Sequence, residues 1–373
     1  MPRVFLSNFD FEHRLAGVNR SKAGDIAADL SSTWLAITNP DDAIPGLRGV
    51  DDGFESELAC IGRRLPQSDA SPGYTAVPWG WDSDSHEEVK RNGWHSVSPE
   101  PHAVARVNSR WFSFALEQQL ECGLPGAKRI ESVDAFEAIS RTADQWVVKA
   151  EFSMSSRERI LGSGRANESH KNWVAKRLAE NGVVFFEPWV KRTEEAAAQF
   201  EIDEYGVVKF VGVTGLLTTQ DGRFAGCWIT EADGGWKGEI AVAQHAAKAA
   251  GTVGYFGPLG IDMARYELGQ EIGFRPIQDF NGRYTMGRLA LGFRSCLDAK
   301  EHAAWLFLPW SRNRPGCETF ASIRERLPAG ARVVRTSPFQ LGQHQVRLGT
   351  VLLIADDASL LREACRVTWE MCG

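Results

Sequence analysis

From Phe274 to Asn281 the chain alternates: Phe274, Pro276, Gln278 and Phe280 fall on one side, and Arg275, Ile277, Asp279 and Asn281 on the other. That two-residue period predicts a strand. After Gly282 the spacing lengthens, and Met286, Leu289, Ala290 and Phe293 fall on one face of a helix. Asp279 and Asn281 thus point the same way at a strand exit, with Arg283 just beyond. Upstream, Asp262 ends a short apolar run of strand character.

Read the same way, residues 1–104 predict a small α/β lobe, with strands at 4–6, 33–38 and 74–79 and helices at 24–30 and 54–65. From Asn108 a helix follows with Phe112, Leu116 and Leu120 on one stripe, closed by Gly123 ahead of Pro125. A helix over 133–141, capped by Ser132, leads to a strand over 145–149 that delivers Lys149. A lysine closing an apolar strand calls for an anionic partner. Residues 152–167 are rich in Ser, Gly and Arg, which suits either a disordered surface loop or a lid that closes over anions. A helix over 168–181 stops at Gly182, and the next strand runs into Glu187-Pro188-Trp189-Val190. Three strands over 197–229, turning at Tyr205-Gly206 and Asp221-Gly222, form an antiparallel meander. The tail after 298 alternates strands and helices again.

The 373 residues exceed what one core usually serves, so two or three lobes are expected. A net charge of −6 argues against a nucleic-acid partner. The apolar runs are too short for a bilayer and the start lacks a secretory pattern, so the reading is a cytoplasmic protein with no membrane partner. Seven scattered cysteines, with no Cys-x-x-Cys pair, read as reduced and mostly buried. The histidines near Trp79, Trp81 and Trp94 are too irregularly spaced for zinc, while a substrate contact from Trp79 to Asp82 stays open.

A carboxylate and an amide carbonyl two residues apart suit a hard cation such as magnesium, and equally suit an Asx turn at a strand end. Asp262 upstream favours the first. The succession of lysine strand, polar Ser/Gly/Arg segment, Glu hinge, meander and two acid-bearing strands resembles the ATP-grasp ligases over about residues 105–297.

The resemblance implies an ATP-grasp fold of mixed α/β and α+β character, with an N-terminal α/β lobe over 1–104, grasp subdomains over 105–186 and 187–297, and a small α/β extension over 298–373. It implies that Lys149 and Arg110 meet nucleotide phosphates together with the lid serines Ser155 and Ser156. Glu187 would lie beside adenine, with backbone groups of Trp189 and Val190 on its edge, and Glu194 would hold ribose. Asp262, Asp279 and Asn281 would bind magnesium, or manganese in its place, while Arg283 with Arg275 would meet the transferred group. Two departures stand out: serines precede the glycines Gly162 and Gly164 in the lid, and Asp279 replaces the commoner Glu. The implied reaction is ATP-dependent activation of a carboxylate to an acyl phosphate and its attack by an amine. The substrates would be small and peptide-like or amino-acid-like, and a homodimer is compatible with this. A non-catalytic ATP-binding scaffold and an ATP-dependent phosphotransferase are the alternatives.

Overall fold

A computed structural model describes residues 1–17, 23–152, 158–219, 222–229, 235–310 and 316–372. Its largest layer is an antiparallel sheet of eight strands. In sheet order these are Glu271–Asn281, Gly257–Leu268, Arg192–Ile202, Val208–Thr218, Phe224–Trp228, His302–Pro309, Leu348–Ala355 and Ala331–Arg335. The predicted meander is its middle. The strands of the tail continue the same sheet across residue 298, because His302–Pro309 pairs with Phe224–Trp228 at Ala304 to Leu306. Trp305, fully buried there, packs edge-on to Phe293 and Phe307 and so joins the tail to the core.

A second antiparallel sheet orders Lys128–Ile130, Val184–Pro188, Gln145–Ala150 and Arg159–Ser163. Helices Val133–Ser140 and Glu168–Asn181 accompany it, and Phe136, Trp146, Val174 and Phe186 form a core of their own. Ser132 caps the first helix through the Ala135 amide (3.2 Å), and Gly182 closes the second in the left-handed region (φ 74°). Part of the expected lid is a strand of this sheet, and Gly162 has a packing reason. A Cβ there would lie 2.2 Å from the Trp146 ring, whose Nε1 donates to the Gly164 carbonyl (2.7 Å).

The N-terminal lobe pairs Arg3–Leu6 in parallel with Thr75–Pro78. The apolar run expected as a strand over 33–38 is instead a 3-10 helix, Ser31–Ala36. Ser31 and Thr33 hydroxyls donate to the carbonyls of Ala28 and Leu30 (3.0 and 2.6 Å), and all six residues are buried, so no alternation marks the element. The helix Ser83–Asn92 and the break between helices Pro101–Asn108 and Arg110–Gln119 were not legible from spacing. Of the described cysteines only Cys227 and Cys365 are buried, fewer than expected. Among the described residues no helix is long and apolar enough to cross a membrane.

Candidate active site

Asp262 and Asp279 are cross-strand partners on neighbouring antiparallel strands, and Asn281 faces Gly260 two residues along. The pairing register shifts between Asp262 and Ala264, a bulge that breaks the strict alternation and leaves the consecutive residues Arg275, Pro276 and Ile277 all buried. Burial first, then the neighbouring Asp279, pushes the Asp262 carboxyl up to about 7. Two acids that close repel each other unless a cation lies between or beside them.

Cations are at hand. Arg110, at the start of the Arg110–Gln119 helix, reaches Asp279 (Nη2 to Oδ2, 3.3 Å) and donates through Nε to the Ala150 carbonyl (3.2 Å). Glu12, Asn108, Arg110, Glu151, Asp279 and Asn281 line one small cleft. Asn108 clamps the turn beyond the strand: its Oδ1 accepts from the Gly282 amide (2.9 Å) and its Nδ2 donates to the Gly282 carbonyl (3.2 Å). A Cβ on residue 282 would meet that Nδ2 at 2.8 Å, which is why glycine stands there.

Lys149 lies on the four-stranded sheet and donates to Glu187 Oε2 (2.5 Å). Burial pushes the Lys149 ammonium down to about 8 in spite of that partner. Glu187 Oε1 accepts from Arg275 (3.0 Å), whose guanidinium also grips Glu117 at 2.5 and 3.0 Å. Burial alone would raise the Glu187 carboxyl, but Arg275 and Lys149 outweigh it and hold the group below the ordinary carboxylate range.

The expected residues therefore divide. Arg110, Asp262, Asp279 and Asn281 gather around the strand exit, and Lys149, Glu187 and Arg275 form a buried charged network. Arg275 differs from its expected place at a transferred group: it is 5% exposed and its donors are directed at two acids. Arg283 is at the exit, donating to Asn281 Oδ1 (2.9 Å) and the Tyr284 carbonyl (2.7 Å) and pairing with Glu12. The Trp189 amide donates to the Gln145 carbonyl (2.8 Å), and Val190 packs beside Leu124, Ala127 and Tyr266. Glu194 pairs with Arg265 (2.7 Å), and Arg165 of the lid segment pairs with Glu137 (2.6 Å). Ser155 and Ser156 lie outside the described residues.

Glu117, Glu12 and Asn108 escaped the sequence reading. Glu117 sits in a run, LEQQLE, whose polarity looks like an exposed helix face, and only its position next to Leu116 of the apolar stripe hinted at burial.

Neither a protein-family model nor a curated protein matches the sequence. Solved structures do match the fold. N5-carboxyaminoimidazole ribonucleotide synthetase from Thermus thermophilus aligns over 100% of this chain and 99% of its own, with 14% identity and a TM-score of 0.55. Biotin carboxylase from Campylobacter jejuni, in a β-γ-ATP complex, aligns over 99% of this chain and 91% of its own, with 12% identity and a TM-score of 0.56. The chain has the ATP-grasp fold. A third ATP-grasp structure, N5-carboxyaminoimidazole synthase from Aspergillus clavatus with ADP and 5-aminoimidazole ribonucleotide, aligns over 100% of this chain and 99% of its own, at 10% identity and a TM-score of 0.55.

Proposed function

We propose that the protein is an ATP-dependent ligase that activates a small carboxylate as an acyl phosphate and joins it to an amine, releasing ADP and phosphate. The observation that carries this reading is the pair Asp262 and Asp279, face to face on adjoining strands with Arg110 against one of them, in an ATP-grasp fold. The ADP and ATP complexes of the similar structures support it.

The donor set fits magnesium. Among the described residues no group of three His, Cys, Asp or Glu side chains is placed to hold a metal ion by itself. Two carboxylates and an amide oxygen are what a magnesium ion uses when phosphates and waters complete its shell. Bound with ATP, magnesium or manganese would neutralise phosphate charge; Asp262, Asp279 and Asn281 are the side chains that would hold it.

The rest falls to the chain's own groups. Lys149 and Arg110 hold nucleotide phosphates. Val190 offers its amide to the adenine edge, and Glu194 faces the ribose. Glu187 orients Lys149 rather than reading the base with its carboxylate, and Arg275 fixes Glu187. Arg283 meets charge developing on the group in transfer. A carboxylate oxygen attacks the γ-phosphorus and ADP leaves; the amine nitrogen then attacks the acyl carbon, phosphate leaves and the nitrogen loses a proton.

The test is a thermal-shift titration with ATP, in magnesium and in chelator, followed by a coupled ADP-release assay over pairs of carboxylates and amines. Equal shifts with and without the metal would end the proposal, as would ADP release independent of any amine.

A further inference from the structure

The strand that carries Asp279 ends at Asn281, and the next three residues, Gly282, Arg283 and Tyr284, line a cavity of about 370 Å3. Its walls are aromatic. Trp79 and Trp81 come from the N-terminal lobe, and Tyr255 and Phe256 from the segment before Gly257–Leu268. The lobe is tied to the far wall by the Tyr284 amide, which donates to the Trp79 carbonyl (2.9 Å). Two large apolar side chains that stand exposed, Tyr205 (84%) and Val97 (68%), belong to the same lining. The volume lies within the range of small-molecule sites.

The charge of the lining is one-sided. It carries three carboxylates, Glu201, Asp203 and Glu204, and one guanidinium, Arg283. Arg283 is already paired with Glu12 and stands 5.2 Å over the Trp79 ring. Glu201 is paired with Arg288 (2.8 Å), while Asp203 accepts from the amides of Tyr205 and Val207 (3.0 and 2.8 Å). A phosphate or carboxylate entering here meets like charge, whereas an ammonium meets carboxylates and aromatic faces together.

We infer that this cavity takes the amine partner of the reaction, and that this partner is an arylalkylamine, an aromatic ring carrying an alkyl amine that is cationic when free, without a phosphate group. Naming the occupant the reaction partner rests on the ligase reading; its chemical class rests on the cavity alone. Arg283 joins the two places, since the residue lines the cavity and its guanidinium donates to Asn281 at the strand exit.

Calorimetry on the full chain without nucleotide tests the class, using tyramine and tryptamine against their carboxylate counterparts, 4-hydroxyphenylacetate and indole-3-acetate. The amines should bind and the acids should not. Trp81→Ala should weaken the amines about tenfold, and Glu204→Gln roughly two- to threefold at low salt. Tyr205→Ala, at an exposed position that leaves the core intact, should weaken them as well. Amines that fail to bind, acids that bind as tightly, or amine affinity untouched by both aromatic substitutions would overturn the inference. The metal-dependent ATP shift, measured in parallel, separates the two readings. Amine binding without that shift supports the cavity assignment and ends the ligase proposal; the shift without amine binding does the reverse.

Discussion

Arg275 donates to Glu187 at 3.0 Å while its Nε and Nη2 hold Glu117 at 2.5 and 3.0 Å, so one guanidinium ties together three separate elements. Glu117 belongs to the Arg110–Gln119 helix, Glu187 to the four-stranded sheet and Arg275 to the eight-stranded one. The second oxygen of Glu187 receives Lys149, which fixes the lysine relative to both sheets. Bidentate geometry and burial make this a joint that a lysine in place of Arg275 would not reproduce.

Arg275→Leu should therefore act first on stability. It leaves Glu117, whose side chain is 1% exposed, as a buried carboxylate without its partner. The expected loss is about 3–5 kcal/mol in a urea titration. Arg275→Lys should also destabilise, by less. If Arg275→Leu keeps wild-type stability and loses only turnover, the residue meets the reacting group and the structural assignment is wrong.

Asp279→Ala and Arg283→Ala should separate nucleotide holding from chemistry. Removing Asp279 takes a carboxylate from the metal set, so ATP affinity in magnesium and ADP release should fall together. Arg283→Ala should leave ATP affinity nearly unchanged and cut turnover about a hundredfold, or ~2.7 kcal/mol of transition-state stabilisation. Glu12→Gln is the control for the Glu12–Arg283 pair. Titration calorimetry with ATP and the coupled assay read both effects, and near-normal turnover in Arg283→Ala would remove Arg283 from the mechanism.

Lys149 should set an alkaline limb. Its ammonium titrates near pH 8 in the folded chain against an ordinary value of 10.5, so the native state gives up this proton before the unfolded state does. The burial penalty on the charge is complete below pH 8 and is relieved as pH rises towards 10.5, so this group's effect on stability becomes more favourable in that window. ATP affinity moves the other way, since the uncharged amine attracts phosphate less. Calorimetric ATP affinity should fall above about pH 8 in the wild type and stay flat in Lys149→Arg, because a guanidinium does not titrate there. An affinity equally pH-dependent in both proteins would show that another group titrates.

The sequence by itself determined the elements with strong periods or caps. Helix Glu168–Asn181 stops at Gly182 as expected, and Lys149, Asp262, Asp279 and Asn281 stand out as charged or polar groups ending or interrupting apolar strands. Such signals are local, written in propensity and alternation. What only the tertiary structure decided was partnership across distance. Glu117 and Arg275 are 158 positions apart, and nothing near either one announces the other. The run expected as a strand over 33–38 became a 3-10 helix because Trp34 is surrounded by Phe5, Phe9, Trp79 and Tyr284, a burial on every side that erases the period a sequence reading depends on. The aromatic cavity belongs with these: its walls come from residues near 80, 204, 256 and 283, and only folding brings their charges to one place.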